Sequence, residues 1–366
     1  MRILYVSDIT SVHTMRWVHY MVNRGHEVVV LSVRPGDVKG ARVIYLDPGD
    51  NPAPKWLRIM RHLWFILNEW RMIKAGGFDI VHVHYLRADL TGLVATCHPN
   101  SIISVWGSDV RPISEGGDPR RIGSRRKALE RTNVVTAANS FNETNVRKIA
   151  PSVKQVEIVP FGVDLSIFNP RGWHGGKPSE IVFCVPKLKL IPLYGQDIAV
   201  RALARVVKNF PGARLILTGE GEGDFLEKLK SLVRKFGLHK QVSFTGRLDH
   251  HALLKVFQQC DVILQPSRWD TFGVAILDAG AVNLPSISTA VGGVTDLVIN
   301  GVTGLTVPPE NVEALTQAMI RLAEDPELRI KLGQNARDLA SNLYSFDMHA
   351  KRMEAIYRDL INRKTN

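Results

Sequence analysis

The stretch DVILQPSRWDTFGVAILDAGAVNLPSISTA, residues 261–290, decides the fold. DVILQPS is a short apolar run that stops at polar residues, as a buried parallel strand does. The loop RWDTFG leads into a helix that begins near Gly273 and is apolar nearly all round. PSISTA then reads as the next strand. Strand, crossover helix and strand make the repeating unit of a doubly wound α/β sheet. Two carboxylates interrupt the pattern, Asp270 at the mouth of the helix and Asp278 two turns in. An ionised carboxylate in apolar surroundings must be paired or must line a polar cavity.

The same alternation runs outward on both sides. Upstream, EIVFCVP, ARLILTG and QVSFTG read as strands separated by amphipathic helices, and the last part of the chain reads as helical. Further upstream, PFGVDLSIFNPRGWHGGKPSE (160–180) is rich in Pro, Gly and polar residues, as a linker is. Before it lies a second alternating series: RILYVSD, HEVVVLSV, ARVIYLD, FDIVHVHY, SIISVWGSD, NVVTAAN and QVEIVP, with helices between most of them. The expected domains are 1–165 and 166–345, with a C-terminal helix over 346–366 that packs back on the first. Open α/β sheets bind ligands beyond the carboxyl ends of their strands. Two such domains facing across a cleft bring two ligands together.

Composition fits this reading. The 366 residues are 45% hydrophobic and 22% charged, an ordinary globular balance. Cys97, Cys184 and Cys260 are too few and too scattered for a disulfide framework or a zinc site, which suits a reducing compartment. MRILYVSDIT reads as a strand rather than a signal peptide, and no uncharged run approaches the roughly 20 residues that span a bilayer. The expected location is cytoplasmic, as a soluble or membrane-peripheral protein. With 47 Lys and Arg against 35 Asp and Glu, the net charge is +12, which favours an anionic partner.

The opening stretch also has the elements of an anion site. Thr271 is a candidate N-cap, Gly273 lets a ligand approach the backbone, and free amides at the positive end of the helix attract negative charge. An ordinary capped helix accounts for these features equally well. Asp278, seven residues after Thr271, shares a face with the helix mouth. Below a phosphate site, an acceptor-only group suits vicinal ribose hydroxyls. Asp270 would sit where a sugar hydroxyl can reach it.

PSRWDTFGVAILDAG resembles the signature of the retaining family 4 glycosyltransferases, where two Glu stand eight positions apart. Here both are Asp, at 270 and 278, with Phe272, Gly273 and Leu277 in place. The resemblance covers nearly the whole chain: VPFGVDLSIFNP is similar to the family's linker, LTGEGEGDFLEKLKSLVRKFGLHKQVSFTGRL to its nucleotide region, and VNLPSISTAVGGVTDLVINGVTGLTVPP to its C-terminal segment. It implies the GT-B fold, two doubly wound Rossmann-like domains. It also implies roles. Asp278 would hold the ribose and Asp270 a hydroxyl of the transferred sugar. The amides of Phe272, Gly273 and Val274 would cradle the diphosphate, and the backbone of Thr245, Gly246 and Arg247 would meet the base. In VPKLKLIPLYGQD, Lys187 stands at the place of the family's Arg and Tyr194 at that of its Lys, leaving Lys189 for the second charge.

The N-terminal half departs further from the family. SDITSVHTMRW has no glycine where members often carry a pair, so Thr10, Ser11, His13, Thr14 and Arg16 would work through side chains. SVWGSD puts Trp106 where many members have His, followed by Ser108 and Asp109. The combination HTMRW, HYL and WGSD looks like that of a subgroup. His84 is the candidate for the missing imidazole and, with Asp270 and Lys187, for the catalytic set; a structural histidine is the competing reading.

The implied reaction moves a sugar, as a hexosyltransferase does, from a nucleotide diphosphate to a hydroxyl of a glycan, glycolipid or lipid-linked acceptor, with retention. UDP- or GDP-linked donors are expected, and the setting would be polysaccharide biosynthesis. No D-x-D metal motif is present, so neither metal nor cofactor is expected. The alternatives are a catalytically weak or inactive nucleotide-binding scaffold and a GT-B sugar-nucleotide epimerase. No G-x-G-x-x-G follows a first strand, against a nicotinamide enzyme, and nothing resembles a nucleic-acid reading element. PKWLRIMRHLWFILNEWRMIKAGG (54–77) mixes Trp with Lys and Arg, as a helix lying on an anionic membrane does, though any packing helix of such a domain competes with that reading. The run RRIGSRRKALER (120–131) is a second candidate for an anionic lipid or lipid-linked diphosphate.

Overall fold

The structure, a computed structural model, describes residues 1–46, 54–86, 91–170, 180–221 and 223–363. The chain divides into two compact units. The first is Met1–Pro160 with His349–Asn366, and the second is Phe161–Met348.

The first unit holds β1 (Arg2–Ser7), α1 (Val12–Asn23), β2 (Glu27–Ser32), β3 (Arg42–Tyr45), α2 (Lys55–Ala75), β4 (Ile80–His84), α3 (Thr91–Ala95), β5 (Ser101–Val105), α4 (Pro119–Arg131), β6 (Val134–Ala137), α5 (Ser140–Ile149) and β7 (Val156–Ile158). Every strand pairing is parallel, in the order β3-β2-β1-β4-β5-β6-β7. Strand side chains alternate between two buried faces. Leu4, Val6, Val81, Val83, Ile103 and Val105 join Phe65 of α2 and Leu129 of α4 in one core. The opposite positions, Tyr5, His82, His84 and Ser104, are buried too, and they are polar. Asn139 starts α5 by accepting the amide of Asn142.

The second unit holds β8 (Val182–Val185), β9 (Lys189–Leu190), α6 (Gln196–Val206), β10 (Arg214–Thr218), β11 (Glu220–Gly221), α7 (Asp224–Lys235), β12 (Val242–Gly246), α8 (His250–Phe257), β13 (Val262–Gln265), α9 (Val274–Gly280), β14 (Ser286–Thr289), β15 (Gly304–Val307), α10 (Val312–Glu324) and α11 (Pro326–Leu343). Its main sheet is parallel in the order β12-β10-β8-β13-β14-β15, with β9 and β11 forming a small separate ribbon. The opening stretch is the β13–α9–β14 crossover. The last helix, α12 (Phe346–Asn362), lies mostly within the first unit, where the Tyr357 hydroxyl is 3.0 Å from that of Tyr5.

Candidate active site

Each sheet reverses its strand order beside its first strand: β1 lies between β2 and β4, and β8 between β10 and β13. The carboxyl ends at such a switch point are where doubly wound sheets bind ligands. In the second unit these ends lead to Lys187, just after β8, and Asp270, in the loop after β13. The Lys187 Nζ donates to Asp270 Oδ2 at 2.7 Å, with the two side chains 10% and 14% exposed. Gln265 Nε2 donates to the same oxygen at 2.9 Å. Asp270 Oδ1 accepts the amide of Thr271 at 2.8 Å and that of Phe272 at 3.4 Å. The Lys187 ammonium also lies 4.6 Å from the centre of the Tyr194 ring. Burial, helped by the Asp270 charge, pushes the Tyr194 phenol up.

The expected N-cap is corrected. Gly273, at φ +88°, caps α9, and no side chain does so. Asp270 has already taken the amides of Thr271 and Phe272, and a glycine can adopt the left-handed turn that follows. A Cβ at Gly273 would stand 3.1 Å from Gln265 Nε2, so backbone and glutamine are in close approach. Phe272 is buried, Val274 half-buried, and Asp278 is 3% exposed within α9.

The neighbouring loops are tied to this cluster. Thr218 Oγ1 accepts the Lys187 amide at 2.9 Å and donates to its carbonyl at 2.8 Å. The next residue, Gly219, donates its amide to Gly246 at 2.8 Å, which draws the exposed segment Thr245, Gly246 and Arg247 alongside. Lys189 is exposed on the small ribbon. Gly195 (φ +67°) opens α6, and a Cβ there would stand 1.9 Å from the Pro266 carbonyl oxygen, so no larger residue fits. The structure therefore brings Lys187, Asp270 and Gly273 together, sets residues 245–247 beside them, and buries Asp278.

In the first unit the switch-point loops follow β1, β4 and β5. Asp109 is fully buried, and its carboxylate accepts the amides of Leu86 (2.9 Å), Trp106 (2.9 Å) and Gly107 (2.7 Å). It thus ties the HYL loop to the WGSD loop. Burial raises its pKa, against those amides and the Arg125 charge, which lower it. Tyr85, just past β4, holds φ at +62°, a strained conformation for a tyrosine, and its hydroxyl lies 3.1 Å from Ser108 Oγ.

His84 is buried. Its Nδ1 lies 3.4 Å from Thr14 Oγ1, and its ring packs on Tyr5 (4.7 Å), His82 (4.5 Å) and Trp106 (5.6 Å). Burial, aided by the His13 charge, lowers its pKa to about 3, so it is neutral near pH 7. Its Nε2 has no hydrogen-bond partner among the described residues. The half-buried His13 packs edge-on against Trp106 at 5.5 Å. Of the candidate residues in the first unit, His13, Arg16, Trp106 and Ser108 reach the surface. Thr14, Asp109 and His84 lie behind it, because each is spent on packing or on loop amides.

Comparison with known proteins bears on what these sites serve. Residues 10–167 match the family model described as Glycosyltransferase Family 4, and residues 176–339 that described as Glycosyl transferases group 1. The chain carries the two domains of a GT-B glycosyltransferase. The glycogen synthase of Mycobacterium tuberculosis H37Rv is 26% identical over 365 residues, covering 91% of this chain and 86% of that protein. The fold of this glycosyltransferase is that of sucrose-phosphate synthase from Thermosynechococcus elongatus (22% identity, TM-score 0.81, covering 99% and 100% of the two chains). It is also that of Anabaena Alr3699/HepE in complex with UDP and glucose (16% identity, TM-score 0.80, 98% and 100%).

Two parts of the glycosyltransferase escaped the sequence reading. Arg268 sets both terminal guanidinium nitrogens on Asp197 at 3.0 Å and also bonds Glu310, which fixes the loop after β13 to the start of α6. It sat unassigned inside the opening stretch. The other part is a buried polar chain: Tyr357 Oη to His82 Nδ1 (2.6 Å), His82 Nε2 to Ser104 Oγ (2.7 Å), and Ser104 Oγ to Thr136 Oγ1 (2.5 Å). The polar residues at alternate positions of FDIVHVHY were its signal.

Proposed function

We propose that the protein is a retaining, metal-independent hexosyltransferase that takes its sugar from a UDP- or GDP-linked donor. The acceptor is a hydroxyl of a glycan or lipid-linked sugar. The observation that carries this reading is the cluster of Lys187, Asp270 and Gln265 at the switch point of the second unit. Without ligand, Asp270 occupies Lys187 and two loop amides. A donor diphosphate, carrying more charge, takes over those donors, and Lys187 then stabilises the negative charge that develops as the glycosidic bond breaks. Released from Lys187, Asp270 accepts from a hydroxyl of the transferred sugar, with Gln265 holding its other side. The amides of Phe272, Gly273 and Val274 complete the cradle, Thr245 to Arg247 meet the base, and Asp278 takes the ribose hydroxyls. Retention follows from attack on the face the diphosphate leaves, with a phosphate oxygen accepting the acceptor's proton.

On the first unit, His13, Arg16, Trp106 and Ser108 form the acceptor surface. Thr14, His84 and Asp109 hold it from behind. UDP in the complex of a structural relative supports uridine as the first base to try. A screen of UDP-, GDP- and ADP-sugars, read as nucleotide release with mixed glycan acceptors, tests the proposal. Release from one donor, dependent on both the sugar and the acceptor, supports it. Binding of nucleotide with no turnover of any sugar would favour the inactive scaffold.

A further inference from the structure

The helix α2 presents an apolar face that the described residues leave exposed. Phe65, Glu69 and Ile73 point inward and are buried. On the opposite side Trp56, Met60, Leu63, Trp64, Leu67 and Trp70 are each 42–66% exposed. Their spacing of three or four residues makes one continuous strip, roughly 20 Å long at 1.5 Å rise per residue. Monomeric soluble proteins rarely leave such a strip open.

The charges around it are one-sided. Arg58, Arg71 and Lys74 are exposed along the same helix, and its one acid, Glu69, is buried. No helix among the described residues is long and apolar enough to cross a membrane. A second copy seated face to face would bring only cations to the rim of the contact, which opposes pairing. An anionic bilayer surface fits both features. Apolar side chains enter the headgroup–acyl boundary, indole rings settle at headgroup level, and the cations meet lipid phosphate. The second basic stretch, α4, offers less. Arg121 is paired with Asp118 and Arg126 with Glu130, both at 3.0 Å, and Arg125 is buried.

We propose that the outer face of α2 docks the protein on an anionic membrane, the helix lying in the plane of the interface. Only the purpose of this contact, delivery to a lipid-linked acceptor, rests on the function proposed above. Vesicle flotation of the full chain tests it, with phosphatidylcholine alone and with phosphatidylcholine enriched in phosphatidylglycerol. The wild type is expected to float with the anionic vesicles only. The pair Leu63→Ser with Leu67→Ser, both exposed and outside the core, should lower partitioning by roughly tenfold or more per leucine. The pair Arg71→Gln with Lys74→Gln should lower it roughly fivefold per charge, and less in high salt. Failure to float with either vesicle, equal flotation with both, or variants that float like wild type each overturn the proposal. So does a wild-type dimer in sedimentation velocity that the serine pair dissociates. Donor binding in the second unit, read by thermal shift on the same variants, fails or holds separately from flotation.

Discussion

The Lys187–Asp270 pair makes an asymmetric prediction about stability and a symmetric one about turnover. Each partner is largely buried, at 10% and 14% exposure, so neither is a surface pair worth under about 1 kcal/mol. Breaking a fully buried pair costs about 3–5 kcal/mol, chiefly through the charge left behind. What is left behind differs here. Lys187→Ala leaves Asp270 with Gln265 Nε2 and the Thr271 amide, so the expected loss is only about 1–2 kcal/mol. Asp270→Ala leaves the ammonium with the Tyr194 ring at 4.6 Å, and the expected loss is about 2–4 kcal/mol. For a unit of this size that is about 2–4 °C in Tm per kcal/mol, so calorimetry resolves the difference. The double variant should fall nearer Lys187→Ala than the sum. Turnover behaves otherwise. Each single variant removes a group that acts on the departing charge or the moving sugar, and should lower kcat by about 100–1000-fold. If Lys187→Ala proves as destabilising as Asp270→Ala, or turns over donor like wild type, the account of this cluster is wrong.

Other outcomes follow from the same geometry. Asp278→Ala should weaken nucleotide binding by about 10–100-fold with little effect on kcat once donor saturates, since a hydrogen bond from a hydroxyl to a charged group is worth about 1.5–3 kcal/mol; titration calorimetry with the nucleotide alone measures it. Gly195→Ala should destabilise the second unit by at least about 2 kcal/mol, because its Cβ would overlap the Pro266 carbonyl and φ is +67°, and urea unfolding reads it. His82 and His84 both titrate below the ordinary histidine range when folded, His84 at about 3, while the unfolded chain binds protons near 6.5. The unfolded state therefore takes up more protons as pH falls from 6.5 towards 3. Through His84, stability should drop across that window by about 1.4 kcal/mol per pH unit, with His82 acting in the same direction, and His84→Asn should remove the His84 share of the slope.

Much of the fold was readable because most strands in this chain are short apolar runs ended by polar residues. DVILQPS became β13, and the helix expected near Gly273 begins one residue later at Val274. The helix read in PKWLRIMRHLWFILNEWRMIKAGG (54–77) runs Lys55–Ala75. The helix expected between FDIVHVHY and SIISVWGSD is described only over Thr91–Ala95, with residues 87–90 outside the described part. What sequence could not supply was pairing across the fold. Lys187 and Asp270 are 83 residues apart, and nothing local in either segment says that they touch. Asp109 shows the same limit. It was a candidate site residue beside Trp106 and Ser108, yet three loop amides claim it, because a carboxylate that can satisfy buried amides is drawn inward. His84 went the same way, since a period-two polar position in a central strand faces the layer packed on it, not the solvent.

In the proposed function, the cluster after β8 and β13 holds a nucleotide sugar and promotes loss of its diphosphate. Nucleotide release from saturating UDP-sugar and GDP-sugar, with acceptor supplied, tests this most directly in wild type, Lys187→Ala and Asp270→Ala compared side by side. Sugar-dependent release from one donor is expected of the wild type, with a loss of at least about a hundredfold in both variants. Release at the wild-type rate by both variants would contradict it.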